Sequence, residues 1–161
     1  MMEFHHALSL KESVRMVFES FSQWTLIYEE PRELSNSVEL EALSVAIGMT
    51  GDYLGYVYLS MDSGVSKEIT SQMLGGMEII EADELVFSAI SELSNMIMGN
   101  SCAQISCEGH YVDITPPTVI AGPKIVISNE NNIYRIPVQI ETIGHIQLDV
   151  AIRHRRETQI S

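Results

Sequence analysis

Apolar positions recur along this chain with two periods, and the change from one to the other marks out its elements. From Glu3 to about Ser22, Leu10, Val14, Val17, Phe18 and Phe21 fall at helical spacing and predict a first amphipathic helix. Trp24 to Glu30 reads as a short strand that Pro31 ends or interrupts, because proline cannot donate to a sheet ladder. Leu43, Val45, Ile47 and Met49 alternate with mostly small or polar partners up to Gly51-Asp52, and Tyr53, Val57 and Leu59 resume the alternation, as in a β-hairpin. Val65, Ile69 and Met73 return to the helical period until Gly75-Gly76 stops it in the manner of a C-terminal glycine cap.

The longest pattern begins near Glu81 and continues to about Cys107, with no Pro and no Gly between Glu81 and Met98. Glu81, Asp83 and Glu84 stand where a helix N-terminus favours negative charge, so one long helix is predicted. At about 100° per residue, Val86, Ile90, Leu93 and Ile97, with Ala89 beside them, form the stripe of a helix packed on a core. Ser88, Glu92, Asn95 and Gly99 repeat the same i, i+4, i+7, i+11 spacing on a nearly opposite line. A hydroxyl, a carboxylate, a carboxamide and bare backbone thus share one expected exposed ridge. Leu85 and Met96 are expected on one flank of it, Phe87 and Met98 on the other, where adaptable thioethers suit a partner surface.

Beyond Gly109 the pattern turns β-rich: Tyr111 to Thr115, a Pro116-Pro117 break, Val119 to Ala121, Ile125 to Ser128, and a polar turn at 129–132. Ile136, Val138 and Ile140 alternate up to the Glu141–Gly144 region, and Ile146, Leu148, Val150 and Ile152 alternate back, giving the clearest hairpin. The order of elements predicts an α+β fold, an antiparallel sheet with helices packed on one face. With 161 residues, 45% of them hydrophobic and 19% charged, a single domain spanning 1–161 is expected.

A formal charge of −13 argues against nucleic acid and anionic membrane surfaces, which reward the Lys and Arg this chain mostly lacks. The start, Met-Met-Glu-Phe-His-His, lacks the basic opening of a secretory signal, and no apolar run approaches the ~20 residues of a spanning helix, so a cytoplasmic protein is expected. The basic stretch Arg153-His-Arg-Arg156 reads as a solvated tail. Cys102 and Cys107 form neither a metal knuckle nor a disulfide framework and are expected as reduced, partly buried thiols. The five histidines show no H-E-x-x-H or paired spacing, which leaves them as surface or core residues and predicts no metal or other cofactor in this chain.

Ser88, Glu92 and Asn95 fit the pattern D/S-x-x-x-E-x-x-N. Together with Glu92-Leu-Ser-Asn-Met-Ile-Met-Gly-Asn100, Gly48-Met-Thr-Gly-Asp52 and Pro117-Thr-Val-Ile-Ala-Gly122, nearly the whole chain resembles the CheC, CheX and FliY phosphatases of bacterial chemotaxis, and CheX in particular. CheC-like chains usually carry two copies of the site and CheX-like chains one; the helix from Val65 to Gly75 has no E-x-x-N, which sides with CheX.

The resemblance implies a substrate that is itself a protein, the phosphorylated receiver domain of a CheY-like response regulator, which brings its own Mg²⁺ and a Lys. Asn95 would orient the attacking water and Glu92 would dock on that Lys. Ser88 would add a smaller polar contact, and Gly99 would either admit the receiver backbone closely or mark a bend in the helix. It also implies a homodimer joined sheet edge to sheet edge, for which the hairpin from Tyr134 to Ile152 offers a candidate edge. The competing expectation is a receiver-binding or flagellar-switch-related module without catalysis.

Overall fold

Residues 2–156 are described by the structure, a computed structural model, with side chains from Ser9 onward. The side chains of His5 and His6, and the tail beyond Arg156, lie outside the described residues.

Both predicted hairpins form. β4 (Leu43–Gly51) and β5 (Tyr53–Met61) pair antiparallel with Val45 opposite Leu59 and Ile47 opposite Val57. β9 (Tyr134–Ile140) pairs with β10 (Gly144–His154), which continues onto β5 through Leu148 opposite Leu59 and Val150 opposite Val57. The period-2 alternation therefore gathers Val45, Ile47, Val57, Leu59, Leu148 and Val150 on one face of a shared sheet.

Three helices cover that face. α1 (Met2–Phe21) contributes Leu10, Val14 and Phe18 to the core, α2 (Ser63–Met73) contributes Val65 and Ile69, and α3 (Glu84–Cys107) contributes the Val86–Ile90–Leu93–Ile97 stripe. The helices are punctuated as the sequence indicates. Asp62 caps α2 by accepting from the Val65 amide at 2.8 Å, and the Gly76 amide returns to the Ser71 carbonyl at 2.8 Å. The turn before β10 needs Gly144: its φ is +145°, and a Cβ there would come within 2.5 Å of Val65 Cγ2 on α2.

The sheet runs β1-β9-β10-β5-β4-β6, where β1 is Leu26–Tyr28 and β6 is Val112–Ile114. β2 (Arg32–Glu33) also pairs β9, and β7 (Thr118–Ala121) also pairs β4. This corrects the expected dimer edge. β10 lies inside the sheet between β9 and β5, and the outer side of β9 is occupied by Leu26 opposite Ile140 and Arg32 opposite Arg135. The hairpin from Tyr134 to Ile152 leaves no edge free.

Two features of the opposite face were not anticipated. β3 (Ser37–Leu40) and β8 (Ile125–Ser128) form a separate two-stranded sheet, and Val38 and Leu40 close over Ile133 and Ala151 in a second, smaller core. Beside it, Asp149 is fully buried and accepts from Arg135 Nε at 2.7 Å and Nη2 at 2.9 Å, while Nη2 also donates to the Glu39 carbonyl of β3 at 3.0 Å. A buried carboxylate is tolerable only when paired this completely.

Candidate functional site

α3 is fixed independently of its exposed side. Asp83 caps it, its side chain accepting from the Leu85 amide at 3.1 Å, and the helix runs unbroken to Cys107. Val86, Ala89, Ile90, Leu93 and Ile97 are all buried, so an apolar stripe on the sheet sets the helix's rotation. Two polar contacts with α1 add to this: Ser9 Oγ meets Ser101 Oγ at 2.8 Å, and Gln104 Nε2 donates to Ser13 Oγ at 3.2 Å.

With that face locked inward, Ser88, Glu92, Asn95 and Gly99 all emerge exposed on the opposite line, as their spacing predicts. Glu92 and Asn95 are three residues apart, about 4.5 Å of helix rise. Among the described residues neither side chain has a hydrogen-bond or ion-pair partner, so carboxylate and carboxamide both remain available to an external group. Gly99 lies inside the continuous helix rather than at a break, and a Cβ built on it would meet nothing within 4 Å. Its lack of a side chain therefore serves no packing against the described residues.

The apolar flanks differ from expectation. Met96 is half-buried beside the ridge and Leu85 is exposed, but Met98 is only 2% exposed and belongs to the core, with Val45, Ile47 and Leu148 around it. Met98 sits at the margin of the helix's inward arc, where the sheet reaches far enough round to cover it. Phe87 likewise leans on the core and is half-buried. Of the two cysteines only Cys102 is partly buried; Cys107 is exposed. Burial, reinforced by Asp113, pushes the Cys102 thiol up to about 11. It stays protonated at neutral pH, and the thiol form is not the nucleophilic one.

The two outlying stretches that carry the resemblance prove architectural. The Thr115 hydroxyl accepts from the Gly48 amide at 2.8 Å, and a Cβ on Gly48 would come within 2.9 Å of Thr115 Cγ2. The Asp52 carboxylate accepts from the Tyr111 amide at 2.8 Å, and Thr118 to Ala121 pair with Ala46 to Leu43. These residues seat β6 and β7 against β4, beneath the helix that bears the ridge. Among the described residues no group of three or more His, Cys, Asp or Glu is placed to hold a metal ion.

An α+β layer with an exposed E-x-x-N ridge on a sheet-anchored helix defines a CheC/CheX-like protein. The family described as chemotaxis phosphatase CheX matches residues 43–141, and the chain belongs to that family. It is 33% identical over 124 residues to the CheY-P phosphatase CheX of Thermotoga maritima, covering 77% of this chain and 80% of that one. The crystal structure of the chemotaxis protein CheX from Vibrio vulnificus superposes with a TM-score of 0.83 at 22% identity, over 92% of this chain and 99% of that one. A CheX from Borrelia burgdorferi, solved in complex with CheY, BeF3 and Mg²⁺, superposes with a TM-score of 0.79 at 22% identity, over 92% of this chain and 98% of that one.

Proposed function

We propose that this protein hydrolyses the aspartyl phosphate of a CheY-like receiver domain in bacterial chemotaxis signalling. The observation that carries the reading is the pair Glu92 and Asn95, side by side on one helix, exposed and without a partner among the described residues. Attack by a water oxygen on phosphorus breaks the bond between phosphorus and the aspartyl oxygen. The carboxylate departs with the bonding pair, and the water's protons pass to the phosphate and solvent. Such a reaction depends chiefly on alignment and charge compensation.

Asn95 supplies the alignment. Its carboxamide offers an acceptor and two donors, so it holds a water by one proton and leaves a lone pair aimed at phosphorus without acting as a base. Glu92 docks on the receiver's Lys, where exclusion of solvent strengthens the pair beyond an open surface contact. Ser88 and Met96 contact the receiver at the ridge's start and flank, and Gly99 lets its backbone come close. The receiver would bring Mg²⁺, which would neutralise charge on the phosphoryl oxygens.

The same reading places the protein in the cytoplasm with its receiver, as one domain that forms a homodimer. No described helix is long and apolar enough to cross a membrane. An edge-to-edge dimer would use the outer strands β1 and β2 or β6 and β7. In an acyl-phosphate decay assay, Asn95→Ala should slow turnover by about 10²–10³-fold, the usual loss for one preorganised polar group, while binding of the receiver stays near wild type. Glu92→Ala should weaken binding and turnover together. Full activity of Asn95→Ala would refute the mechanism.

A further inference from the structure

Large apolar side chains crowd into the stretch from Leu74 to Leu85. Leu74 is 40% exposed, Met77 53%, Ile80 78% and Leu85 45%. Elsewhere among the described residues the exposed large apolar groups, such as Met16, Ile27 and Val126, are scattered along the chain. A cluster of this kind marks an interaction site far more often than single exposed residues do.

The stretch is held in place. Ile79 and Ala82 turn inward onto the core, Lys67 Nζ donates to the Ile80 carbonyl at 3.4 Å, and Asp83 caps α3. With its neighbours anchored inward, Ile80 is presented outward. Leu85 continues the patch onto α3, on the flank of the ridge and one helical turn ahead of Ser88. Glu78, Glu81, Asp83 and Glu84 are interspersed with the apolar residues along the stretch, all exposed, and among the described residues none of the four forms an ion pair. The complementary surface is an apolar patch rimmed by Lys or Arg.

We propose that Met77, Ile80 and Leu85 form a second docking surface, continuous with the ridge, that seats a basic-rimmed apolar patch of the receiver and so selects which receiver presents its phosphate to Glu92 and Asn95. The inference rests on the phosphatase reading of the ridge. Chemistry and choice of partner are thereby divided between two adjoining surfaces, one along the ridge of α3 and one on the preceding turn and the first turn of α3.

The test uses the full chain and the receiver domains of the same organism. Each receiver is loaded with beryllofluoride and Mg²⁺ for equilibrium binding, and phosphorylated for phosphate release. Met77→Ser/Ile80→Ser, two exposed positions outside every helix and strand, should melt like wild type. It should raise Kd and KM together by about tenfold or more, the usual effect of losing interface anchors, with kcat at saturating receiver within about twofold. Glu78→Lys/Glu81→Lys should slow association most at low salt, with the difference closing as salt screens it. Unchanged Kd in the first variant overturns the docking surface, and an unchanged salt dependence in the second overturns its basic-rimmed partner. If Asn95→Ala keeps full turnover while the first variant loses affinity, the ridge reading fails and the docking surface stands. A wild-type chain that binds none of the loaded receivers overturns both.

Discussion

Replacing Gly99 by alanine should move stability and activity in opposite directions. Glycine inside a helix costs about 0.5–1 kcal/mol relative to alanine, through backbone entropy. At this position no packing among the described residues offsets that cost, since a Cβ would meet none of their atoms within 4 Å. Gly99→Ala should therefore raise the melting temperature by about 1–4 °C for a chain of this size. The same methyl would project from the ridge proposed to meet the receiver. Forcing a methyl into a close-packed contact costs about 1–3 kcal/mol, equivalent to about 5- to 150-fold in affinity. Thermal denaturation by circular dichroism, anisotropy binding of a beryllofluoride-loaded receiver and phosphate release on one preparation separate the two effects. A higher melting temperature with unchanged Kd and phosphate release would show that no receiver backbone approaches Gly99. A lower melting temperature would refute the open surroundings themselves.

Asp149→Ala should be strongly destabilising, because it leaves Arg135 facing a low-dielectric interior without its bidentate partner; loss of one half of a buried pair costs about 3–5 kcal/mol. A urea midpoint near that of wild type would contradict this. Alkaline pH should weaken the fold. Burial raises Cys102 from 9.0 to about 11 and Tyr28 from 10.0 to about 12. Both groups hold their protons to higher pH folded than unfolded, so their contribution is intact below about pH 9 and is lost as pH rises through 11 to 12. Denaturation curves at stepped pH should show this decline, reduced in Cys102→Ala, and iodoacetamide at pH 8 should modify Cys107 well before Cys102.

The helices and both hairpins were legible because each repeats its period long enough to be read locally. α3 gives four buried residues on one line and four exposed on the other, so its period alone sets Glu92 and Asn95 on the exposed side. What the sequence concealed is pairing between distant segments. Leu26 meets Ile140, and Val38 meets Ile127; no local pattern announces either. β3 has only two apolar positions, Val38 and Leu40, too few to establish a period, and it becomes a strand because β8 and the Arg135 guanidinium hold it. The misplaced hairpin edge has the same origin, since β1 and β2 arrive from the other end of the chain to occupy β9. Met98 failed for a different reason: an angle near the edge of a helix face is decided by how far the neighbouring sheet wraps, which a helical projection omits. The Leu74 to Leu85 cluster had a visible signal in Met77, Ile79 and Ile80 directly after a glycine stop, but the alternation of inward and outward side chains there appears only once Ile79 and Ala82 are anchored.

That Glu92 and Asn95 ride one helix sets what the chain tolerates in evolution. An inserted or deleted residue between Glu92 and Asn95 would swing one of them by about 100° around the axis and drive an apolar neighbour into water. The spacing is thus closed to changes of length, whereas the turn from Leu74 to Asp83 can lengthen or shorten while α3 keeps its register. On the proposed function, new receivers could be accommodated by remodelling that turn, leaving Glu92 and Asn95 untouched.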